Sequence, residues 1–329
     1  MAVLVCGGAG YIGSHCVVAL LDKNEEVVVI DNLQTGYKKA VHGNAKLYQG
    51  DIKDRAFLNK VFVENDIDAV IHFAANSLVA VSMTDPLTYY DNNVHGSQVL
   101  LETMETHNVR KIVFSSTASV YGEPESIPVL ETAKTLPTNP YGETKLAVEK
   151  MMKWADNAYK LKYIALRYFN VAGAHQSAEI GEAHNPETHI IPLVLQVPLN
   201  KRQHITVFGT DYDTPDGTCI RDYIYIMDLV DAHLLALQKL RDGADSNVYN
   251  LGNGEGFSVM EIIEAARNVT KHPIPVAYSE RRAGDPARLI ASSKKAQEEL
   301  GWKPKFTKIE DIIGSAWRWH IRNPEGFAE

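Results

Sequence analysis

The stretch Asn139-Pro140-Tyr141-Gly142-Glu143-Thr144-Lys145 carries residue types that can move a proton. A free tyrosine, with a pKa of about 10, is a poor base at neutral pH. An ammonium group nearby favours the phenolate and pulls that pKa down. Tyr141 and Lys145 stand four positions apart, so on a helix both project from one face. Asn139 suits an N-cap and Pro140 the first helical position. Leu146, Val148, Met151, Met152 and Ala155 continue with helical periodicity. The pair is therefore a candidate base for removing a hydroxyl proton. An ordinary helix with a half-buried Tyr and a solvated Lys would show the same spacing. The rest of the chain has to decide between them.

A second stretch supplies a partner for such a base. Residues 2–6 form a short apolar run, followed by Gly7-Gly8-Ala9-Gly10-Tyr11-Ile12-Gly13, a helical pattern, and a second apolar strand ending at Asp31. Strand, glycines, helix, strand and acid in that order are the dinucleotide-binding fingerprint in its proper context. The glycines allow a tight turn and close approach to a pyrophosphate, and the helix N-terminus offers free N–H groups to it. A carboxylate at Asp31 favours NAD over NADP, because it repels a 2′-phosphate. The alternation continues, with strands expected at 46–50, 68–75, 111–114 and 163–166 and helices at 55–64, 86–108 and onward from Asn139. Repeated β-α units predict an α/β fold with a doubly wound parallel sheet, in which ligands bind at the carboxyl ends of the strands. Asp31, Asp51, Phe73-Ala74-Ala75 and Ser115-Ser116-Thr117 all fall at such ends. The Thr117 hydroxyl can orient a substrate oxygen beside Tyr141, or these hydroxyls can simply satisfy backbone groups in a turn.

After Asn170 the regular alternation stops. A strand is expected at 205–208 and another at 248–251, with helices at 228–240, 259–268, 293–300 and 309–321. The division falls near residue 172, giving a Rossmann-type domain over 1–172. The second, over 173–329, is a smaller mixed α/β substrate domain, with some segments returning to the first. Arg221 and the pair Arg281-Arg282 suit a phosphate clamp, since arginines make forked, charge-assisted contacts. They equally suit surface pairing with Asp222, Glu280 or Asp285.

Composition narrows the partners. The 329 residues are 45% hydrophobic and 22% charged, ordinary for a globular protein. A net charge of −8 without a long basic run argues against nucleic acid or an anionic membrane surface. Cys6, Cys16 and Cys219 are scattered and odd in number, which suits a reducing compartment. No signal peptide and no stretch of about 20 apolar residues is found, so the cytoplasm is expected. The 12 histidines include no H-x-x-x-H or H-E-x-x-H arrangement, and no metal is expected.

Further stretches carry a resemblance. They are GGAGYIGSH at 7–15, DNL at 31–33, VIHFAA at 70–75, YYDNNVHG at 89–96, FSSTASVYG at 114–122, NPYGETK at 139–145, RYFNVAGAH at 167–175, VFGTDYDTPDGT at 207–218, RDYI at 221–224, YNLGNG at 249–254 and RRAGD at 281–285. With them the chain resembles, nearly end to end, the UDP-glucose (UDP-galactose) 4-epimerase family of the extended short-chain dehydrogenase/reductase superfamily. The resemblance implies NAD held by Gly7, Gly10 and Gly13 with the backbone of Tyr11 and Ile12. Asp31 and Asn32 take the ribose, and Asp51 and Ile52 the adenine end. Phe73, Ala74, Phe169 and Asn92 or Asn93 stand on the nicotinamide side, and Lys145 holds the nicotinamide ribose. Thr117 and Tyr141 meet the sugar C4 hydroxyl. Asn170, His189, Arg221, Tyr223, Arg282 and Asp285 bind a UDP-hexose, with Phe208 near the uracil. The implied reaction passes a hydride from C4 to NAD and back through a 4-keto sugar, inverting C4, in a homodimer built through the helices near 86–107 and 141–160.

Departures from the family pattern sharpen this. Thr117 stands where many members have Ser, keeping the hydroxyl. Ala75-Asn76-Ser77 replaces Gly-Leu-Lys, removing a lysine contact to NAD. Glu187-Thr188-His189 replaces a segment with paired asparagines. Leu289, where members tune room for an N-acetyl group, is neither the smallest nor the bulkiest option, so UDP-N-acetylhexosamines stay an alternative. A 4,6-dehydratase of the same superfamily is a second one. It would need an Asp-Glu after the strand-end hydroxyl, and Ala118-Ser119 follows Thr117 instead.

Overall fold

Val3 and Val5 face one side of a sheet, Leu4 and Cys6 the other, and all four are fully buried. Successive side chains of a strand point to opposite faces, so an unbroken apolar run requires cover on both. The computed structural model, which describes residues 1–282 and 286–327, provides it. Seven parallel strands run in the order Asn247–Leu251, Lys162–Tyr168, Lys111–Ser115, Ile67–His72, Ala2–Cys6, Glu26–Asp31, Lys46–Gln49. Helices Arg55–Glu64, Gly96–Thr106 and Pro140–Tyr159 cover one face; Tyr11–Asp22 and Ile226–Arg241 cover the other. From Ala2–Cys6 the chain first builds outward to Lys46–Gln49, then crosses back to Ile67–His72 on the other side. The first strand is thus the switch point, where a crevice opens beyond the strand ends.

The sheet reclaims chain from beyond residue 172. Strand Asn247–Leu251 pairs in register with Lys162–Tyr168, and helix Ile226–Arg241 packs on Tyr11–Asp22. Arg241 at its end donates to Asp68 and Glu25. A smaller lobe holds the rest. Helix Val259–Thr270, opened by a Ser258/Glu261 capping box, packs on Ile309–Arg322. Short strands Ile205–Phe208 and Val276–Ser279 pair in parallel. Ile220–Arg221 lies between Phe257–Ser258 and Arg288–Leu289. The Asp222 carboxylate accepts from the backbone of Asn253, Gly254 and Ala291, tying that strand to the adjoining loop.

One expected element differs. In place of one helix over 86–108, the chain forms Pro86–Tyr89, a π-helical turn Tyr90–His95, then Gly96–Thr106. Wide turns of this kind gather at functional sites, and this one buries Asn93 and leaves Asn92 half-buried, its amide donating to Asn93 Oδ1. No helix among the described residues is long and apolar enough to cross a membrane.

Candidate active site

A cleft runs along the strand ends from Asp31 and Asp51, past the glycine loop, to Thr117, Tyr141 and Lys145. The glycine loop is a close fit between backbones. Gly7 has φ +82°, and a Cβ there would lie 2.6 Å from Ala74 N; a Cβ on Gly13 would lie 2.1 Å from Gly7 O. Gly10 differs, since its nearest obstacle is Gly7 O at 3.4 Å. Its φ of −78° and ψ of 174° suit any residue, so the protein itself does not demand glycine at this cleft-lining position. Gly13→Ala is expected to cost about 1–3 kcal/mol through overpacking. Gly10→Ala is expected to keep the wild-type melting point and bind NAD weakly. Thermal unfolding and an NAD titration on both variants measure this, and equal NAD affinity in Gly10→Ala and wild type would contradict it.

The loop fits a dinucleotide on further grounds. Helix Tyr11–Asp22 starts with no side-chain cap and no acid in its first turn, so the backbone donors of Tyr11, Ile12 and Gly13 have no side-chain acceptor there. Asp31 accepts from Ala9 N (2.9 Å) and Leu33 N (2.8 Å), one bond per oxygen. Each oxygen keeps a lone pair for a ribose hydroxyl. Burial raises the Asp31 pKa, opposed by these two N–H donors. Asn32, Asp51, Ile52, Phe73, Ala74, Asn92 and Phe169 also line the cleft. Asn93 does not. It is 2% exposed, and its amide holds Asn76 N at 2.8 Å and Thr144 Oγ1 at 3.0 Å. Asn93 thereby joins the strand-end loop to the helix of Tyr141.

Tyr141 and Lys145 sit as the sequence places them, on helix Pro140–Tyr159, whose Asn139 cap accepts from Gly142 N at 2.9 Å. Lys145 is no solvated surface group, being 3% exposed. Its Nζ donates to Ser115 O at 2.8 Å and lies 6.0 Å from the centre of the Tyr141 ring. The Tyr141 hydroxyl is hydrogen-bonded to Thr117, and Thr117 Oγ1 accepts from Ser119 N. The Thr117 hydroxyl thus satisfies a backbone group in the turn and also stands beside Tyr141. Burial pushes Tyr141 up to about 12, with the Thr117 bond pulling it down and Tyr89 adding to the rise. Burial lowers Lys145 to about 7, against the raising effect of the Glu149 carboxylate. The expected depression of Tyr141 by an adjacent ammonium is therefore not built into the protein alone. The dry site disfavours charge on both groups, and a bound ligand has to change that balance.

The Lys145 shift has a measurable sign. An unfolded lysine titrates near 10.4, so between about 7 and 10.4 the unfolded chain holds the extra proton. This site therefore makes stability rise with pH across that window. In cofactor-free protein, Lys145→Met is expected to flatten the rise and to be the more stable form below pH 7, where wild type carries a buried ammonium. Urea midpoints at pH 6 and pH 9 test this, and an identical pH slope in the two proteins counts against it.

The residues expected at the UDP end separate into groups. Asn170 lines the cleft and pairs in register with Tyr223. Arg221, on the strand before Tyr223, pairs in register with Leu289. The Arg282 guanidinium lies over the Phe208 ring at 4.2 Å, whereas Arg281 pairs with Asp211 and lies over the Tyr212 ring at 4.2 Å. Phe208, Arg221, Tyr223 and Arg282 lie outside the cleft wall lined by the cofactor set. Asp285 lies outside the described residues. His189 lines the cleft from the facing loop.

Two groupings were not apparent in the sequence, although His189 was expected as a substrate contact. Glu149 and Arg167 form a buried ion pair behind the Tyr141 helix, with Ser116 and Tyr121 attached. Glu182, His184, Glu187 and His189 converge at the cleft wall. The expectation of no metal rested on two short spacings, and E-x-H-x-x-E-x-H matches neither. Each set joins residues that only the fold or an irregular loop brings together.

A doubly wound sheet with a dinucleotide cleft, a strand-end hydroxyl and a Tyr-x-x-x-Lys helix defines a nucleotide-dependent enzyme of the short-chain dehydrogenase/reductase type. The chain belongs to the NAD dependent epimerase/dehydratase family, whose sequence profile matches residues 3–252. It is 56% identical over 328 residues to a UDP-glucose 4-epimerase of Halalkalibacterium halodurans, covering 100% of this chain and 98% of that protein. A crystal structure of a UDP-glucose 4-epimerase at 56% identity superposes with a TM-score of 0.99 over 100% of both chains. That of the Bifidobacterium longum UDP-glucose 4-epimerase in complex with NAD+ and UDP is 41% identical, with a TM-score of 0.92 over 99% of this chain and 100% of that one.

Proposed function

We propose that the protein interconverts UDP-glucose and UDP-galactose by inverting C4 through a transient 4-keto sugar, with NAD retained in the cleft. The observation that carries this is the Thr117–Tyr141 hydroxyl pair at the inner end of a cleft whose other end is the glycine loop. NAD bound there supplies a reversible hydride acceptor. Tyr141 takes the proton of the C4 hydroxyl as hydride leaves C4, and returns it to the same oxygen when hydride comes back to the opposite face of the keto carbon. Thr117 orients that oxygen. Lys145, fixed by Ser115 O, holds the nicotinamide ribose and lends positive field to Tyr141. Gly7, Gly10, Tyr11, Ile12 and Gly13 cradle the pyrophosphate, and Asp31 takes the ribose. Asn170, Arg221, Tyr223 and Arg282 hold the UDP moiety, with Phe208 at the uracil. The names of the relatives support the reading.

The dehydratase alternative lacks its acid and base. The carboxylates lining the cleft among the described residues are Asp31 and Asp51 at the adenosine end and Glu182 among histidines, none of them beside Thr117. For N-acetylhexosamines, Leu289 packs with Phe169 against Val120, Tyr121 and Leu146, so room there depends on how that cluster yields. The deciding experiment incubates purified protein with UDP-galactose, and separately with UDP-N-acetylgalactosamine, without added NAD, and follows the sugars by NMR. UDP-glucose should form at equilibrium without a build-up of NADH. Loss of water from the sugar, or turnover only in proportion to added NAD, would overturn the proposal.

The chain is further proposed to act as a cytoplasmic homodimer. Its cysteines are free and buried, which suits a reducing compartment. Met83, Leu87, Tyr90 and Trp154 are exposed on the helices from 79 to 106 and on Pro140–Tyr159, Leu87 at 78%. Two copies facing through these helices would cover them. Light scattering after size exclusion should give twice the chain mass for wild type and a lower mass for Leu87→Glu; a wild-type monomer would refute the assembly.

A further inference from the structure

The loop before helix Ile190–Leu195 gathers four potential ligands. One donor atom each from Glu182, His184, Glu187 and His189 lies within 4.8 Å of all the others. His184 Nδ1 is 3.2 Å from Glu182 Oε1 and 3.6 Å from Glu187 Oε2. His189 Nδ1 is 2.8 Å from Glu182 Oε1 and 3.2 Å from Glu187 Oε1. A zinc ion with bonds of 2.0–2.1 Å in tetrahedral geometry sets its ligand atoms about 3.4 Å apart. Three of these separations are shorter than that edge and one is longer, with Glu187 meeting His184 through Oε2 and His189 through Oε1.

The hydrogen bonding points the same way. Glu182 is 4% exposed, yet its Oε1 has no hydrogen-bond partner of proper geometry, and neither does the buried His184 Nδ1. Of these contacts, that between His189 Nδ1 and Glu187 Oε1 has hydrogen-bond alignment, whereas Glu182 Oε1 and His184 Nδ1 sit at contact distance without it. A buried carboxylate oxygen left in that state is costly, and a cation among the four side chains satisfies it. The surroundings hold the set in place: Trp319 Nε1 donates to Glu182 O at 3.1 Å, and Glu187 Oε1 accepts from the backbone of Thr188 and His189.

We propose that Glu182, His184, Glu187 and His189 bind one divalent cation of the zinc class at the wall of the nucleotide cleft. Two carboxylates and two neutral imidazoles balance its charge. Four protein ligands close the coordination sphere, the arrangement of structural rather than catalytic zinc. The cation therefore pins the loop from 182 to 189 where it faces the glycine loop. The His184 ring stands edge-on to Tyr11 at 6.1 Å, and the Tyr11 hydroxyl donates to Gly173 O at 2.6 Å. The competing arrangement uses the same four side chains as an ion-paired cluster, with two imidazolium ions in place of the metal.

The test takes tag-free protein treated with a strong chelator and dialysed. Zinc is titrated against a chromophoric competitor, and cobalt(II) is followed by its visible absorption. Wild type should take up one zinc per chain, and its cobalt form should show the intense visible bands of four-coordinate Co(II). His184→Ala and the near-isosteric Glu187→Gln should each weaken uptake at least tenfold, with melting points recorded alongside. If His184→Ala does not fold, Glu187→Gln carries the test. No stoichiometric uptake by wild type, or uptake that neither substitution weakens (an adventitious ion only), would overturn the proposal and leave the ion-paired cluster.

Discussion

Tyr141→Phe is expected to lower kcat for UDP-galactose by about 10²–10⁴-fold, the range contributed by a positioned acid–base group, while the fold and NAD binding persist. The substitution removes one oxygen and keeps the ring that packs beside Lys145. Its structural cost is the hydrogen bond to Thr117, about 0.5–1.5 kcal/mol. Thr117 Oγ1 still accepts from Ser119 N, so the strand end keeps its shape. Thr117→Ser should cost little by comparison, because the hydroxyl survives. The phenol sits at about 12 in the cofactor-free cleft and is therefore neutral at physiological pH. Proton removal becomes accessible only when bound ligands bring positive charge against it and keep Lys145 protonated. The base is thus assembled by binding rather than preformed. Initial rates measured beside circular dichroism and bound-NAD absorbance decide the matter, and a Tyr141→Phe enzyme within threefold of wild type would remove Tyr141 from the chemistry.

The sequence revealed the parts of this site that obey a period. Strands buried on both faces read as unbroken apolar runs. The glycine loop lies between one such run and a helix. Asn139 marks the helix start that sets Tyr141 and Lys145 on one face. What it hid has a different physical origin. Residues 90–95 keep helical apolar spacing, and nothing local announces the wider turn that sends Asn93 inward to Asn76 and Thr144. Strand Asn247–Leu251 looks like any short apolar strand; its place beside Lys162–Tyr168 follows from helix Ile226–Arg241, which packs on the sheet and carries the chain back to it. Glu182 and its neighbours lie in a polar loop whose composition resembles solvated chain. Arg221, Phe208 and Arg282 were singled out by residue type and by resemblance, and the structure sets them in the smaller lobe, apart from the wall that carries Tyr141.

Glu149→Ala is expected to destabilise the protein by about 3–5 kcal/mol, the cost of leaving a buried ionic partner unpaired. Glu149 follows Lys145 by one helical turn and points into the core, where it receives Arg167 Nε at 2.9 Å and the Ser116 hydroxyl. Arg167 is 6% exposed and also donates to the Tyr121 hydroxyl at 2.9 Å, which in turn donates to Asn250. The network therefore links the Tyr141 helix, the turn just after strand Lys111–Ser115, and the returning strand Asn247–Leu251. An apolar double replacement, Glu149→Leu with Arg167→Met, should recover part of the loss, since two well-packed apolar groups avoid the stranded charge. Full recovery is not expected, because Ser116 loses its partner in both variants and Tyr121 loses Arg167 in the double one. Activity should separate the roles further. Glu149 is the group that raises the Lys145 pKa, so its removal leaves less ammonium at neutral pH. The double variant should then lose kcat even where its stability returns, with the rate falling at a lower pH than in wild type. Urea denaturation and a pH–rate profile measure the two effects. A Glu149→Ala protein within 1 kcal/mol of wild type would show that this network does not support the fold, and a double variant with wild-type kcat at pH 8 would show that it does not tune Lys145.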